Sequence, residues 1–255
     1  MDIIEHNREA WNQQVEEENI WTRPVDSKTI EDAKKGNWSV LLTPIKPVPL
    51  GWFPELKGRK VLCLASGGGQ QGPVFAAVGA DVTVFDNSPS QLKRDIMVAE
   101  RDGLSIKIEQ GDMRDLSRFA NESFDMIFHP VSNCFMDDVN KVWKECYRVL
   151  KKGGTLLAGF CNPITYIFDF NEWDENQKLI VRYSIPYSDL EQLPKEQLEA
   201  KITNKTSLEF GHSLQDQIGG QINAGFMISG FYEDSSGGDL LDPYINTFIA
   251  TRAIK

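Results

Sequence analysis

One stretch constrains the fold of this chain more than any other: VLCLASGGGQQG, residues 61–72. Four apolar, β-prone residues are followed by three adjacent glycines, and then by Gly72 and a proline. A short buried strand, a glycine turn and a helix are typical of the first unit of a Rossmann-type α/β domain. The glycines at 67, 69 and 72 fit the dinucleotide spacing, but such a turn also serves adenosyl cofactors without a phosphate. The turn therefore predicts the fold class and leaves its ligand open.

An acidic residue lies at the end of the next predicted strand. The segment 81–85, DVTVF, alternates in a strand-like way and ends at Asp86, about twenty positions after the glycines. A carboxylate at that place accepts hydrogen bonds from ribose hydroxyls. Because Ser88 already supplies a cap for the following helix, Asp86 is predicted to be a ligand contact rather than a turn residue.

Two further strand ends carry polar groups. The strand predicted at 104–108 leads to Asp112 and Met113, a carboxylate and an apolar side chain that suit the amino group and the ring of adenine. The strand predicted at 124–128 opens into His129. Because ligands bind beyond the carboxyl ends of parallel strands, the sequence predicts one crevice that gathers all of these tips.

Apolar residues spaced three and four positions apart predict two longer helices. The first, 89–101, is predicted to bury Leu92, Ile96 and Ala99. The second, 137–152, is predicted to end at the Gly-Gly pair that follows it, before the next strand.

At this point the chain resembles the class I S-adenosylmethionine (SAM)-dependent methyltransferases, and within them the group similar to ubiquinone and menaquinone C-methyltransferases. The family pattern has an acidic residue where this chain has Cys63, and a glycine where it has Ala65. The resemblance is carried by the glycine turn at 61–69, Asp86-Asn87-Ser88, GDM at 111–113, FDMIF at 124–128 and YRVLKKGGTLL at 147–157.

The resemblance implies a cofactor, S-adenosyl-L-methionine, and a set of contacts to it. Gly67 and Gly69 would approach SAM, Asp86 would hold the ribose, and Asp112 with Met113 would frame the adenine. The remaining predicted cofactor contacts are Ser66, Asn87, His129 and Trp11.

The predicted fold is a mostly parallel seven-stranded sheet that ends in an antiparallel hairpin. Around a SAM-binding core at 56–162, we expect a helical and extended N-terminal lid at 1–55 and an aromatic-rich insertion at 163–212 that caps the substrate. Residues 213–255 are predicted to supply a helix and the closing strands, at 226–232 and 244–253.

The expected reaction places few demands on the protein. The methyl group of SAM is activated by its sulfonium, so the enzyme must mainly align the nucleophile and exclude water. A base is needed only if the nucleophile carries a proton at neutral pH. His129, at a strand tip, and His212, after the insertion, are the candidate catalytic residues.

Two other functions fit the same residues. An NAD(P)-dependent oxidoreductase would use the literal glycine spacing, although the closing hairpin is atypical of one. A SAM-binding protein without catalysis, acting through a partner, is the other alternative. The favoured hypothesis remains methyl transfer to a small organic acceptor, whose identity the residues do not specify.

Composition narrows the partners and the compartment. The 255 residues carry a formal charge of -10 and no basic cluster, which argues against a nucleic-acid groove. The four cysteines form no CxxC pair, which favours reduced thiols, and no metal-ligand set is predicted. The sequence shows no signal peptide and no apolar run of membrane-spanning length, so we expect a soluble, cytoplasmic protein.

Overall fold

A seven-stranded sheet forms the centre of the computed structural model, which describes residues 1–255. The strands are β1 (Lys60–Leu64), β2 (Asp81–Asp86), β3 (Ile106–Gln110), β4 (Phe124–His129), β5 (Leu150–Cys161), β6 (Tyr187–Ser188), β7 (Phe210–Gly211), β8 (Met227–Asp234) and β9 (Phe248–Ile254). The sheet order is β3-β2-β1-β4-β5-β9-β8; the first five of these strands are parallel, and β9 runs antiparallel to both of its neighbours. A separate two-stranded sheet pairs β6 with β7.

Nine α-helices surround this sheet, and local sequence explains where the best defined of them begin and end. Pro89 occupies the first turn of α4, whose N-terminus is capped by the Ser88 side chain, and Gly103 ends it in a left-handed conformation. The helices are α1 (Ile3–Glu16), α2 (Ser27–Lys34), α3 (Gln71–Ala77), α4 (Pro89–Asp102), α5 (Val139–Val149), α6 (Phe170–Asn176), α7 (Asp189–Gln192), α8 (Lys195–Thr203) and α9 (Gly220–Ala224).

Both faces of the sheet are covered, as expected for a sheet whose central parallel strands, β1 and β4, are largely apolar. Side chains alternate along β1, so Val61 and Cys63 join the cluster beneath α2, α3 and α4. Leu62 and Leu64 join the opposite cluster, which is centred on the fully buried Trp143 of α5. The carboxyl ends of the parallel strands are thereby fixed along one edge.

The predicted fold class is confirmed, including the antiparallel hairpin of β8 and β9 that closes the sheet. One predicted boundary is wrong. Helix α5 is capped by Asp138 and ends at Val149, and the Gly153-Gly154 pair lies inside β5. The register of β5 against β4 shifts here, so the glycines permit an irregularity in a continuous strand instead of ending a helix.

One burial prediction is also wrong. Ile96 of α4 is 39% exposed, and Asp95 takes the buried position on that helix. Helix α2, capped by Asp26, is a second helix in the N-terminal segment, for which no position was predicted. Residues 178–187, which alternate in a strand-like way, form only the start of β6 and one isolated bridge. No helix is long and apolar enough to cross a membrane.

Candidate functional site

A cavity of ≈ 720 Å³ lies over the carboxyl ends of the parallel strands. Its walls come from the segments that follow β1, β2, β3, β4 and β5, where an open parallel sheet places its ligands. Its roof comes from the N-terminal segment, with Ile4 and Trp11, and from the insertion, with Tyr166 and Glu209. The sheet order divides the cavity into an end over β1, β2 and β3 and an end over β4 and β5, which we call the far end.

The glycine turn after β1 forms part of the first end. Gly67 lies on the wall, and its N–H donates a hydrogen bond of 2.9 Å to Asp86 Oδ2. A Cβ at Gly67 would lie 2.8 Å from Gln91 Cβ, and one at Gly69 would lie 2.9 Å from the carbonyl oxygen of Arg94. Both distances are shorter than real Cβ contacts, so this turn requires glycine at both positions.

Asp86 is held rigidly at the tip of β2. Its Oδ1 accepts a hydrogen bond of 2.9 Å from the Ser88 N–H, while its Oδ2 accepts the Gly67 N–H. Burial raises the pKa of Asp86 above its ordinary value, and these backbone hydrogen bonds act in the opposite direction. The carboxyl therefore faces the cavity in a fixed orientation, with lone pairs left for a ligand's hydroxyl groups.

Asp112 and Met113 also lie on the wall, beyond β3. The Asp112 carboxylate accepts hydrogen bonds from the backbone and the guanidinium of Arg114, a neighbour that the sequence analysis did not single out. The same guanidinium contacts Asp137. Beneath them, Phe85 leaves no space for a side chain at Gly111, where a Cβ would lie 2.5 Å from the ring.

The N-terminal segment contacts the glycine turn directly. The Val25 N–H donates a hydrogen bond of 3.0 Å to the Gly69 carbonyl, and Gln70 Nε2 donates one of 3.0 Å to the Arg23 carbonyl. Trp11 lines the cavity and packs edge-on against Phe135, with the ring centroids 5.1 Å apart. This segment thus covers the turn and the adjoining part of the cavity.

The far end of the cavity contains one acid, Glu209, which is half-buried. Tyr166 Oη donates a hydrogen bond of 2.9 Å to Glu209 Oε2, and burial raises the pKa of Glu209 above its ordinary value. Cys134 and Cys161 line the cavity nearby, and Cys161 Sγ lies 3.7 Å from Tyr166 Oη. Glu209 was not a predicted site residue, because only the fold of the insertion brings it to the wall.

The two histidines proposed as bases do not lie on the cavity wall. His129 is fully buried; its Nδ1 hydrogen-bonds to the Leu64 carbonyl at 2.9 Å, and its ring packs edge-on against Trp143. Burial lowers the pKa of His129 to about 4, so this imidazole is neutral at pH 7. His212 is also buried, and its Nε2 hydrogen-bonds to the Asn133 carbonyl at 3.0 Å. Each imidazole is therefore hydrogen-bonded to the backbone of another segment of the chain.

Similarity to known proteins decides between the ligands that the glycine spacing left open. A family described as a methyltransferase domain matches residues 62–158. An uncharacterized methyltransferase of Bacillus subtilis, YbaJ, is 57% identical over 253 residues, which is 99% of this chain and 98% of that protein. This chain belongs to the class I SAM-dependent methyltransferases.

Two weaker similarities extend this result. A ubiquinone biosynthesis O-methyltransferase of Pseudomonas savastanoi is 27% identical over 153 residues, 58% of this methyltransferase and 61% of that protein. The solved structure of a SAM-dependent methyltransferase from Mesorhizobium loti has the same fold, with a TM-score of 0.63, 17% identity and coverage of 80% of this chain and 94% of that one. The cofactor of the methyltransferase is SAM, so the oxidoreductase alternative is wrong.

The cavity of the methyltransferase fits this cofactor. The absence of a side chain at Gly67 leaves the wall open beside the fixed carboxyl of Asp86, and Asp112 lies beyond the adjacent strand. The structure brings these three residues together as the sequence predicted. The other predicted cofactor contacts that line the cavity are Ser66, Asn87, Met113 and Trp11.

Two predicted cofactor contacts of the methyltransferase lie elsewhere. Gly69 is behind the wall, where it binds the N-terminal segment, and His129 is beneath it. Sequence reasoning missed Arg114, which directly follows the GDM motif, and Asp95, which contacts the glycine turn from below. The signal for Asp95 was available, because it lies three positions after Leu92 on the buried face of α4.

Proposed function

We propose that this enzyme transfers the methyl group of SAM to a small, largely apolar organic acceptor that presents a hydroxyl or amino group to Glu209. The observation that carries the proposal is the lining of the far end, where Val131, Phe135, Tyr166 and Phe248 surround a single carboxyl group. Flat apolar surfaces with one fixed polar group suit a ring compound that is oriented by one hydrogen bond.

The charge of the far end restricts the acceptor further. Glu209 Oε2 accepts the Tyr166 hydroxyl, whereas Oε1 accepts no hydrogen bond from the protein. A hydroxyl or amino group would satisfy Oε1, whereas an acceptor carboxylate would meet a like charge in a poorly solvated place. The net charge of -10 likewise supports a small molecule over a nucleic acid.

The chemistry required of the protein is alignment and removal of one proton. When bound, SAM supplies a methyl group already activated by its sulfonium. In this proposal the cavity walls hold the acceptor and exclude water, and Glu209 takes the acceptor's proton as the acceptor bonds to the methyl carbon and the carbon–sulfur bond of SAM breaks. The raised pKa of Glu209 makes its carboxylate a stronger base than an exposed glutamate.

The relatives and the cysteines support two details of this proposal. The Pseudomonas relative is named for a ubiquinone biosynthesis reaction at oxygen, which is consistent with a ring acceptor that carries a hydroxyl group. All four cysteines are free, which fits the reducing conditions of the cytoplasm, where we propose that the enzyme acts.

Three ring compounds of matched size test the proposal: 4-ethylphenol, 4-ethylaniline and 4-ethylbenzoate. Calorimetry with the S-adenosylhomocysteine-saturated enzyme measures binding, and radiolabelled SAM measures methyl transfer. We expect the phenol or the aniline to bind and react at least about tenfold better than the benzoate. Equal use of the benzoate, or no binding of any of the three, contradicts the proposed acceptor class.

Variants then test the role of Glu209. Glu209→Gln is expected to lower methyl transfer about tenfold or more and to leave the affinity for S-adenosylhomocysteine within about threefold of the parent. The control is Glu199→Gln on the surface of α8, where the carboxylate pairs only with the exposed Lys195. Full turnover by the Glu209 variant would remove this residue from the mechanism.

A further inference from the structure

Asp95 is a carboxyl group buried in an unusual place. It lies in the middle of α4, on the face packed against the sheet, and its side chain is 0% exposed. No cation is paired with it: the neighbouring Arg94 directs its guanidinium to the Val15 carbonyl. Burying an unpaired carboxyl is costly unless backbone N–H groups bind it.

The glycine turn supplies those N–H groups. The Gly68 N–H donates a hydrogen bond of 3.0 Å to Asp95 Oδ2 and also lies 3.1 Å from the Gln91 carbonyl oxygen. The Gly69 N–H faces the same carboxyl. Gly68 and Gly69 have φ values of 108° and 72°, so the carboxyl binds the turn where its backbone is left-handed.

The carboxyl lies next to Cys63, the position at which this chain departs from the family pattern. A Cβ added to Gly72 would lie 3.3 Å from Asp95 Oδ1 and 3.9 Å from Cys63 Sγ. Cys63 is fully buried in β1, and its side chain and that of Asp95 both border the space beside Gly72, one from the strand and one from the helix.

We propose that Asp95 is the positioning residue of the SAM-binding turn, and that it supplies from α4 the acidic group that β1 lacks at Cys63. Its carboxyl fixes the Gly68 and Gly69 amides from below, which keeps Gly67 and its bond to Asp86 at the cavity wall. The proposal rests on the assignment of SAM as the ligand of this turn.

Two features strengthen this assignment. Asp95 Oδ1 has no hydrogen-bond partner, so the carboxyl is not explained by a polar network within α4. Burial raises the pKa of Asp95 to about 8, and the carboxyl of Asp86 also disfavours a negative charge on Asp95. A neutral or partly neutral acid still accepts backbone N–H groups, so an asparagine can replace it in this role.

The test uses four variants and a control. Asp95→Ala removes the acceptor, Asp95→Asn keeps one, Cys63→Asp adds a strand carboxyl, and the double variant Cys63→Asp/Asp95→Ala moves the acid from helix to strand. Glu100→Ala is the control, because Glu100 is an exposed acid on the same helix. Calorimetry measures the affinity for S-adenosylhomocysteine, and thermal melting without ligand confirms folding.

We expect Asp95→Ala to weaken binding about tenfold or more, and Asp95→Asn to stay within about threefold of the parent. The double variant should recover at least half of the lost affinity on a logarithmic scale, whereas Cys63→Asp alone should gain none, because it places two acids together. A folded Asp95→Ala protein with parental affinity overturns the positioning role. A double variant that binds S-adenosylhomocysteine as weakly as Asp95→Ala overturns the inference that Asp95 replaces the missing acid of β1.

A spectroscopic measurement keeps the proposal testable if a variant binds poorly for another reason. In protein labelled with [15N]glycine, the Gly68 amide proton should resonate downfield in the parent and in Asp95→Asn, move upfield in Asp95→Ala and return in the double variant. An unmoved signal in Asp95→Ala shows that the hydrogen bond is absent in solution. If the parent enzyme does not bind S-adenosylhomocysteine, the cofactor assignment fails, whereas the amide signal still decides whether Asp95 holds the turn.

Discussion

Ala65 shows how a single residue can conflict with the backbone around it. It lies between β1 and the glycines on the cavity wall, with φ of 47°, in the left-handed region that favours glycine. Its N–H donates a hydrogen bond of 2.7 Å to the Phe85 carbonyl, so the conformation is fixed by the sheet. The backbone strain at Ala65 therefore arises because this chain has alanine at a position where the family pattern has glycine.

The variant Ala65→Gly should stabilise the protein by about 0.5–1 kcal/mol. Relief of the left-handed strain, about 1–2 kcal/mol, outweighs the added entropy of glycine in the unfolded chain. Chemical denaturation measures the difference. The matched control, Ala200→Gly on the exposed face of α8, should instead lose about 1 kcal/mol. A loss of stability in both variants would contradict the strain at Ala65.

His129 gives the protein a specific pH dependence. Its pKa, lowered by burial to about 4, is below the 6.5 of an unfolded histidine, so between these values only the unfolded chain takes up the proton. This residue therefore contributes stability that is present above pH 6.5 and falls by up to about 3 kcal/mol as the pH approaches 4.

The variant His129→Gln isolates that contribution. The difference in unfolding free energy between parent and variant should shrink as the pH falls from 7 to 4, because glutamine does not titrate. Denaturation series at four pH values measure it. Turnover should change less than stability, because the imidazole lies off the cavity wall; a pH-independent difference would show that His129 titrates normally in the folded state.

At the scale of elements, Asp189 organises the insertion. Its fully buried carboxylate accepts hydrogen bonds from Tyr187 Oη at 2.6 Å, Lys201 Nζ at 2.7 Å and the Glu209 N–H at 2.8 Å. One side chain thus joins β6, α8 and the segment that enters β7. The position of Glu209 at the cavity depends on this group.

Replacing Asp189 with alanine should loosen the insertion while the sheet remains folded. The unpaired Lys201 and the two lost hydrogen bonds cost about 3–5 kcal/mol locally. We expect faster hydrogen exchange and proteolysis between residues 187 and 211, and loss of acceptor methylation. Glu199→Ala, on the solvent side of α8, should change none of these. Unchanged exchange in the Asp189 variant would contradict its central role.

The elements that the sequence predicted well are those determined by local signals. The glycine turn, the cap at Ser88 and the alternating strands each carry their own pattern, and their order placed Asp86 and Asp112 at one edge. Glu209 and Asp95 were missed for different physical reasons. Glu209 reaches the cavity only through long-range contacts of the insertion, whereas Asp95 breaks the rule that a core-facing helix position is apolar.

At the scale of the whole molecule, the N-terminal segment and the insertion are joined. Asn7 of α1 is buried; its Nδ2 donates hydrogen bonds to the Phe135 and Leu208 carbonyls at 2.7 and 3.0 Å, and its Oδ1 accepts the Leu208 N–H at 2.8 Å. A side chain of the N-terminal helix therefore pairs with the backbone of the insertion and of the segment after β4. The roof of the cavity is one connected layer.

Binding of S-adenosylhomocysteine should therefore protect more than the residues it touches. At one hundred times its Kd the ligand should add about 2.7 kcal/mol to the unfolding free energy. Hydrogen exchange should slow in residues 3–25 and also in residues 207–212, which the joined roof includes. Protection confined to the strand tips would contradict the coupling, and Asn7→Ala should confine it there.

The single roof has a kinetic consequence. Because Asn7 ties the two halves of this layer together, an opening that separates them would break its three hydrogen bonds. We therefore predict that this opening slows the departure of the spent S-adenosylhomocysteine.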